Sequence, residues 1–295
     1  MMKKHRPETF NVLLKLFIAL MFLIGFLVFF YPFAIDSVTN FVYQQQIKEI
    51  AQENSRNADR QAAKITRLQK ENRQKSLENQ QIGISPIKDI LGRAVKRVPN
   101  KSRQYYYQHS LGSIFIPKIS LSLPIFDKTN DTLLEKGITL LDGSSYPTGG
   151  SSTHAVLLGH NGLPDQQLFT HIDHLKKGDK FFLKILGKRL AYQVFDIKVV
   201  RPDDLKDVQI KQDQDLVTLV TCTPYMINTH RLLVTGRHVG LDKRQFDRAQ
   251  KKTVSTQTTY LTFYLSLIAA ALLLFIYFVY WQIRRFYRDK AKEQP

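Results

Sequence analysis

The sequence predicts a mainly β fold, a compact barrel or sandwich with short helices, preceded by a helical stalk and flanked by two transmembrane helices. Three observations carry this prediction. Long uncharged apolar runs lie near both ends, a polar stretch free of Gly and Pro follows the first, and short β-rich runs separated by turn signals fill the middle. With 295 residues, 43% hydrophobic and 23% charged, the chain can bury one or two real cores, which excludes disorder throughout and a collagen-like repeat. A single cysteine excludes an intramolecular disulfide and therefore a disulfide-stapled miniprotein.

The elements follow in order. Residues 1–15 form a basic tail carrying Lys3, Lys4 and Arg6. Leu16 to Ala34 holds no formal charge and spans roughly 28 Å as a helix, close to the ~30 Å of bilayer hydrocarbon. A signal peptide is the alternative, but the run exceeds the usual apolar core of about 7–15 residues and no small-x-small cleavage site follows. Residues 16–35 are therefore assigned to the first transmembrane helix. Tyr260 to Ile283 is the second uncharged run, with Tyr277, Tyr280 and Trp281 at its far end as an interfacial aromatic belt, and Arg284, Arg285, Arg288, Lys290 and Lys292 beyond. Both tails, 1–15 and 284–295, are basic. The positive-inside rule places both in the cytoplasm and the chain between the spans outside.

Residues 36–110 are expected as an extracellular helical stalk and irregular connector. Ile47, Ala51, Asn54, Ala58, Gln61, Ile65 and Leu68 step by alternating fours and threes, a weak helical seam whose members are half small or polar. It predicts a solvated helix that spaces the rest from the membrane. Residues 82–112 mix Pro, Gly and basic residues as an irregular connector. From 111 to 241 seven β-rich runs follow: 114–119, 121–126, 155–158, 181–186, 191–200, 216–222 and 232–235, with one helix candidate near Gln166 to Leu175. Closure into a barrel is attractive because it removes exposed edges. Residues 242–259 are expected as a linker to the second span, 260–283. The net charge of +18 is scattered rather than striped and no nucleic-acid motif accompanies it, so anionic lipid and wall polymer are the expected neighbours, not nucleic acid.

Cys222 ends the run Leu216 to Cys222, and Pro224 stops the ladder two residues later. A lone cysteine is usually an inert core residue. Here it stands at a strand end opening onto a loop, on the oxidising side of the membrane. A short loop returns the chain to Arg231, so a hairpin would bring Cys222 and Arg231 together at one rim. The guanidinium would favour the nucleophilic thiolate and could donate to a developing oxyanion. Among the histidines, His5 is cytoplasmic and His109 lies in the connector. His171 and His174, at i and i+3, could suit a metal but lack a third ligand at fixed spacing. His230 should point away from Arg231's face. His160 ends its own strand before Asn161-Gly162 and could exchange a proton with Cys222, although spacing alone leaves that assignment open.

The segments TLVTC (218–222) with Arg231 nine residues on, and LLGHNGL (157–163), resemble the signature of the sortase transpeptidases. IFIPKISLSLPIF, GGSSTHAVLLGHNGLP, LFTHIDHLKKGDKFF, VVRPDD and VTLVTCTPYMINTHRLLVTG, within residues 111–240, are similar to the class C, pilin-polymerising branch, as is the second span. The resemblance implies a closed sortase-type β barrel facing the wall of a Gram-positive cell. Cys222 would be the nucleophile that forms a thioester with the Thr of an LPXTG-like sorting signal. His160 would be proton donor and acceptor, and Arg231 the transition-state stabiliser. A lysine of another pilin subunit would resolve the thioester, and no metal or organic cofactor is implied. A sortase that attaches surface proteins to the peptidoglycan cross-bridge, and a non-catalytic wall-protein tether, are the alternatives. The chain departs from class C in having no Asp-Pro-aromatic lid before Cys222, Ser85-Pro86-Ile87 being the nearest analogue. It also carries Asn161 where the family often has a basic residue after the histidine.

Overall fold

The computed structural model describes residues 8–78, 101–163 and 166–293. Three helices precede the sheet: α1 (Glu8–Arg56), α2 (Ala58–Leu77) and α3 (Arg103–His109). From Ile35 to Leu77 neither Gly nor Pro interrupts the backbone, and only one residue, Asn57, separates α1 from α2. There follow β1 (Ser110–Ile116), β2 (Leu121–Phe126), the short helix α4 (Asp131–Leu134), β3 (Ile138–Leu140), β4 (Thr153–Leu158), β5 (Asn161–Leu163) and β6 (Gln166–Leu168). The chain continues through β7 (Lys180–Ile185), β8 (Lys188–Val200), β9 (Asp215–Thr223), β10 (His230–Val239) and α5 (Lys243–Glu293).

Among the described residues, eight strands close into a barrel in the order β1-β2-β3-β4-β9-β10-β8-β7, with β7 pairing back to β1; β5 and β6 form a separate ribbon. Strands β2/β3 and β4/β9 pair in parallel. Closure depends on a glycine. A Cβ on Gly112, where β1 meets β7, would lie 1.8 Å from the Lys184 carbonyl oxygen. Side chains alternate across the wall with the strand period of two. Ile114, Leu123, Leu157, Leu183, Leu219 and Val234 fill the interior, while Val156, Leu158, Val220, Cys222 and Leu233 pack into a second cluster outside it under Leu134, Leu141, Leu205 and Val208. The seven β-rich runs of the sequence correspond to β1, β2, β4, β7, β8, β9 and β10. Strands β3, β5 and β6 were not among them, because three residues are too few to show a period.

Several expectations are corrected. The stalk is not a solvated spacer. Ile47 and Leu68 of its seam are buried, as are Tyr43 and Ile50, with Ile47 packed beside Phe115 and Phe182 and Leu68 joined to the barrel core. Asn72 of α2 donates from Nδ2 to the Tyr146 carbonyl (2.9 Å) and accepts from the Tyr146 amide (2.7 Å), which fixes the helix to the β3–β4 loop. The expected linker at 242–259 is also helical. It belongs to α5, whose sequence from Lys243 contains no Gly or Pro, and Phe246 is buried against Phe115 and Phe182. The expected helix at Gln166 to Leu175 is instead β6 and a 3₁₀ turn, Ile172–His174. In the connector, Arg103–His109 is helical and β1 begins at Ser110.

The chain divides into two compact units, residues 39–257 and residues 1–38 with 258–295. Helices α1 and α5, which both enter the second unit, each hold a segment long and apolar enough to cross a membrane, Phe10–Glu53 and Lys243–Arg288. The most apolar window of each is 0% buried, unlike a soluble core helix of that composition. Phe33 stacks on Tyr264 with ring centroids 5.9 Å apart. Lys3, Lys4 and Arg6 of the N-terminal tail lie outside the described residues.

Candidate active site

The outer face of β4, β9 and β10 carries the residues of interest. In the antiparallel β9–β10 pair, Cys222 stands directly opposite Arg231, Val220 opposite Leu233 and Thr218 opposite Thr235. On its other side β9 pairs in parallel with β4, Val156 beside Thr218 and Leu158 beside Val220. The ladder continues past the end of β4. The Gly159 amide donates to the Val220 carbonyl (3.0 Å), and the Thr221 hydroxyl donates to the Gly159 carbonyl (2.8 Å). Asn161 Nδ2 then donates to the Cys222 carbonyl (2.7 Å). His160 is therefore held level with Cys222, two residues beyond Leu158. The structure brings the three predicted residues to neighbouring positions, Cys222 on β9, Arg231 on β10 and His160 just past the end of β4. Gly159 makes this possible, since a Cβ there would lie 2.6 Å from the Phe169 ring and 2.8 Å from Ile138.

All three side chains are buried, Cys222 and Arg231 at 2% exposure and His160 at 9%. Burial raises the thiol pKa, with Arg231 opposing it. Arg231 favours the thiolate, as expected, but desolvation outweighs its charge. Burial also lowers His160 to about 4, against the attraction of Asp131. The resting pair at neutral pH is a thiol and a neutral imidazole. Among the described residues no hydrogen bond engages the His160 ring. Arg231 donates from one terminal nitrogen to the Asn228 and His230 carbonyls (both 2.9 Å), while its Nε–H is buried without a partner among the described residues. A donor-only group in that condition is suited to meet an incoming oxygen.

The other histidines lie elsewhere. His230 is exposed on the strand position next to Arg231, bonded to Thr229. His109 ends α3 and pairs with Asp127 at 2.9 Å. His171 and His174 stack on each other with Asp173 beside them. The bond from Asn161 to the cysteine carbonyl was not foreseen; its one signal in the sequence is a place directly after His160 at a tight turn. Ser85-Pro86-Ile87, and with it the question of a cover over Cys222, lies outside the described residues.

Comparison with known proteins identifies the family. A family model for the sortase domain matches residues 114–239, which hold all of the barrel but the start of β1 and all three side chains. The chain belongs to the sortase family. It is 36% identical to sortase C from Clostridium perfringens SM101, covering 67% of this chain and 99% of that one with a TM-score of 0.53. It is 34% identical to sortase C-1 from Streptococcus pneumoniae, covering 67% and 100% with a TM-score of 0.57. Within the family it is a class C sortase. Among curated relatives it is 34% identical to sortase A of Bacillus anthracis over 131 residues, 44% of this chain and 60% of that protein. The match to sortase D of Bacillus subtilis (strain 168) likewise spans less than two thirds of that relative, 63%.

Proposed function

We propose that this chain is a membrane-anchored cysteine transpeptidase that cleaves an LPXTG-like sorting signal between Thr and Gly and transfers the acyl group to a pilin lysine. Cys222 Sγ attacks the threonyl carbonyl carbon as its proton passes to the His160 imidazole. Burial penalises thiolate and imidazolium separately, so the charges form together, at the moment of attack, and each stabilises the other. The carbonyl oxygen becomes an oxyanion and accepts from the unmet Arg231 Nε–H. Collapse breaks the Thr–Gly C–N bond, and the imidazolium returns its proton to the leaving glycyl amine. A lysine Nζ then attacks the thioester. It gives up a proton through His160, forms the isopeptide bond and regenerates the thiol.

The observation that carries this reading is the shared strand face, with Cys222 opposite Arg231 on one side and level with His160 on the other. Two apolar helices support membrane anchoring, and the basic tails support cytoplasmic termini with the barrel outside, facing the wall. Similarity to sortases of class C favours a pilin lysine over the peptidoglycan cross-bridge as acceptor. The protein incubated with a sorting-signal peptide should gain the mass of the acyl fragment on Cys222, and Cys222→Ala should abolish cleavage without loss of fold. An unchanged mass after prolonged incubation would favour a tether that only binds wall proteins, and transfer by Cys222→Ala would end the proposal.

A further inference from the structure

Outside the thiol site, one turn gathers three metal-ligating side chains. Residues Ile172–His174 form a 3₁₀ turn, and in this geometry positions three apart eclipse one another. His171 and His174 accordingly stack, with ring centroids 5.1 Å apart and planes inclined by 14°. Asp173 projects beside them, its Oδ1 3.9 Å from His174 Nε2, and one ligand atom from each of the three lies within 4.8 Å of the others. Asp173 is the third ligand that the spacing of the two histidines lacked. The backing is rigid. Ile172 and Leu175 are buried in the barrel core at 0% and 3% exposure, and the His174 and Leu175 amides close the turn onto the His171 and Ile172 carbonyls (3.1 and 3.2 Å). The nearby Lys177 is drawn aside to Asp196, at 3.7 Å.

We infer that His171, Asp173 and His174 form a binding site for a borderline divalent cation such as zinc. Two imidazoles and a carboxylate suit Zn²⁺, Co²⁺ or Ni²⁺ better than Ca²⁺ or Mg²⁺, and three protein ligands leave a further position for water. At metal–ligand distances of about 2.0–2.2 Å, tetrahedral ligand atoms lie roughly 3.3 Å apart. Small rotamer shifts in side chains on the surface of a fixed turn close that gap. The turn follows β6, and the Phe169 amide donates to the His160 carbonyl (3.0 Å). The cation would thus staple the segment that supports the histidine without touching the reaction.

The test uses the full untagged chain in detergent, titrated with Co²⁺ and followed by visible absorption and thermal unfolding, and then back-titrated with Zn²⁺. Because Cys222 and His160 could themselves take up a soft cation, the titration is run in parallel on Cys222→Ala. The inference expects one equivalent in wild type and in Cys222→Ala, a saturable rise in Tm, and loss of both signals in His171→Ala/His174→Ala. Asp173→Asn should weaken binding measurably. Equal uptake by the double histidine variant, or uptake that vanishes in Cys222→Ala, would overturn it.

Discussion

Two histidines bracket strand β4, one near its start and one just past its end, and the two are nearly alike in every respect except their partners. His154 is fully buried at the start of the strand, and His160 is 9% exposed just past its end. Burial lowers both to about 4. His154, however, has both ring nitrogens engaged, Nδ1 with the Gln209 carbonyl at 2.8 Å and Nε2 with the Thr218 hydroxyl at 2.6 Å, and Thr218 continues to Thr235 at 2.9 Å. The His160 ring has no such bond among the described residues and lies level with a thiol. A depressed pKa therefore marks desolvation and nothing more. What separates a structural histidine from a candidate catalyst is the capacity to bond that it still has to offer.

The sharpest way to break this comparison is to remove each ring in turn. His160→Ala should lower transpeptidation by ~10²–10⁴, the usual worth of positioned proton transfer, while the folded state persists. His154→Ala should do the reverse. It leaves the Gln209 carbonyl and the Thr218 hydroxyl short of a partner and opens a cavity, at a cost of about 2–4 kcal/mol, with the remaining folded protein turning over within about tenfold of wild type. Activity assays paired with denaturant titration would read both. If His154→Ala were the more impaired catalyst, the assignment of roles would be inverted.

Arg231→Lys tests the opposite side of the cysteine. A lysine keeps the charge but places no planar N–H where Nε now lies unmet, so kcat should fall by ~10²–10³, as for a lost oxyanion donor. Near-normal turnover would show that the guanidinium is not aimed at the reacting carbonyl.

Acid stability should treat the two histidines as equals. Each folded-state pKa lies below the unfolded value of 6.5. The unfolded chain therefore takes up protons first, and stability present above pH 6.5 is lost as pH falls toward about 4. Each ring accounts for roughly 3 kcal/mol of that loss. Unfolding free energies at pH 7 and pH 4.5 should differ less in either alanine variant than in wild type, and by similar amounts. A flat profile in wild type would show that the burial is not maintained in solution.

The β9–β10 hairpin was legible because it is local: a β run, a proline stop, a short loop and a second run fix Cys222 opposite Arg231. The neighbourhood of His160 was not. It depends on β4 pairing in parallel with β9 from some 60 residues away, and no periodicity reports which distant strand lies alongside. Resemblance to a family supplied a role for His160 but not that pairing, which only the structure shows. The helices show a second kind of limit. The seam through Ile47 and Leu68 revealed which face of the stalk is apolar but not that a barrel wall, rather than water or another helix, receives it.

The smallest predicted effect concerns Asn161, which separates donation from mere occupancy. Its Nδ2 holds the Cys222 carbonyl at 2.7 Å, tying the strand of the sulfur to the turn of the imidazole. Losing one partly buried hydrogen bond of this kind costs about 1–2 kcal/mol, so Asn161→Leu should reduce kcat/KM by roughly 10-fold. The alkylation rate of Cys222 should fall in parallel, because the sulfur is no longer held level with its partner. Asn161→Asp, an acceptor facing an acceptor, should be worse than Asn161→Leu. Asn161→Arg restores a donor and should recover much of the rate. If all three variants alkylate and turn over alike, the two strands are held in register by the backbone ladder alone and Asn161 does no positioning.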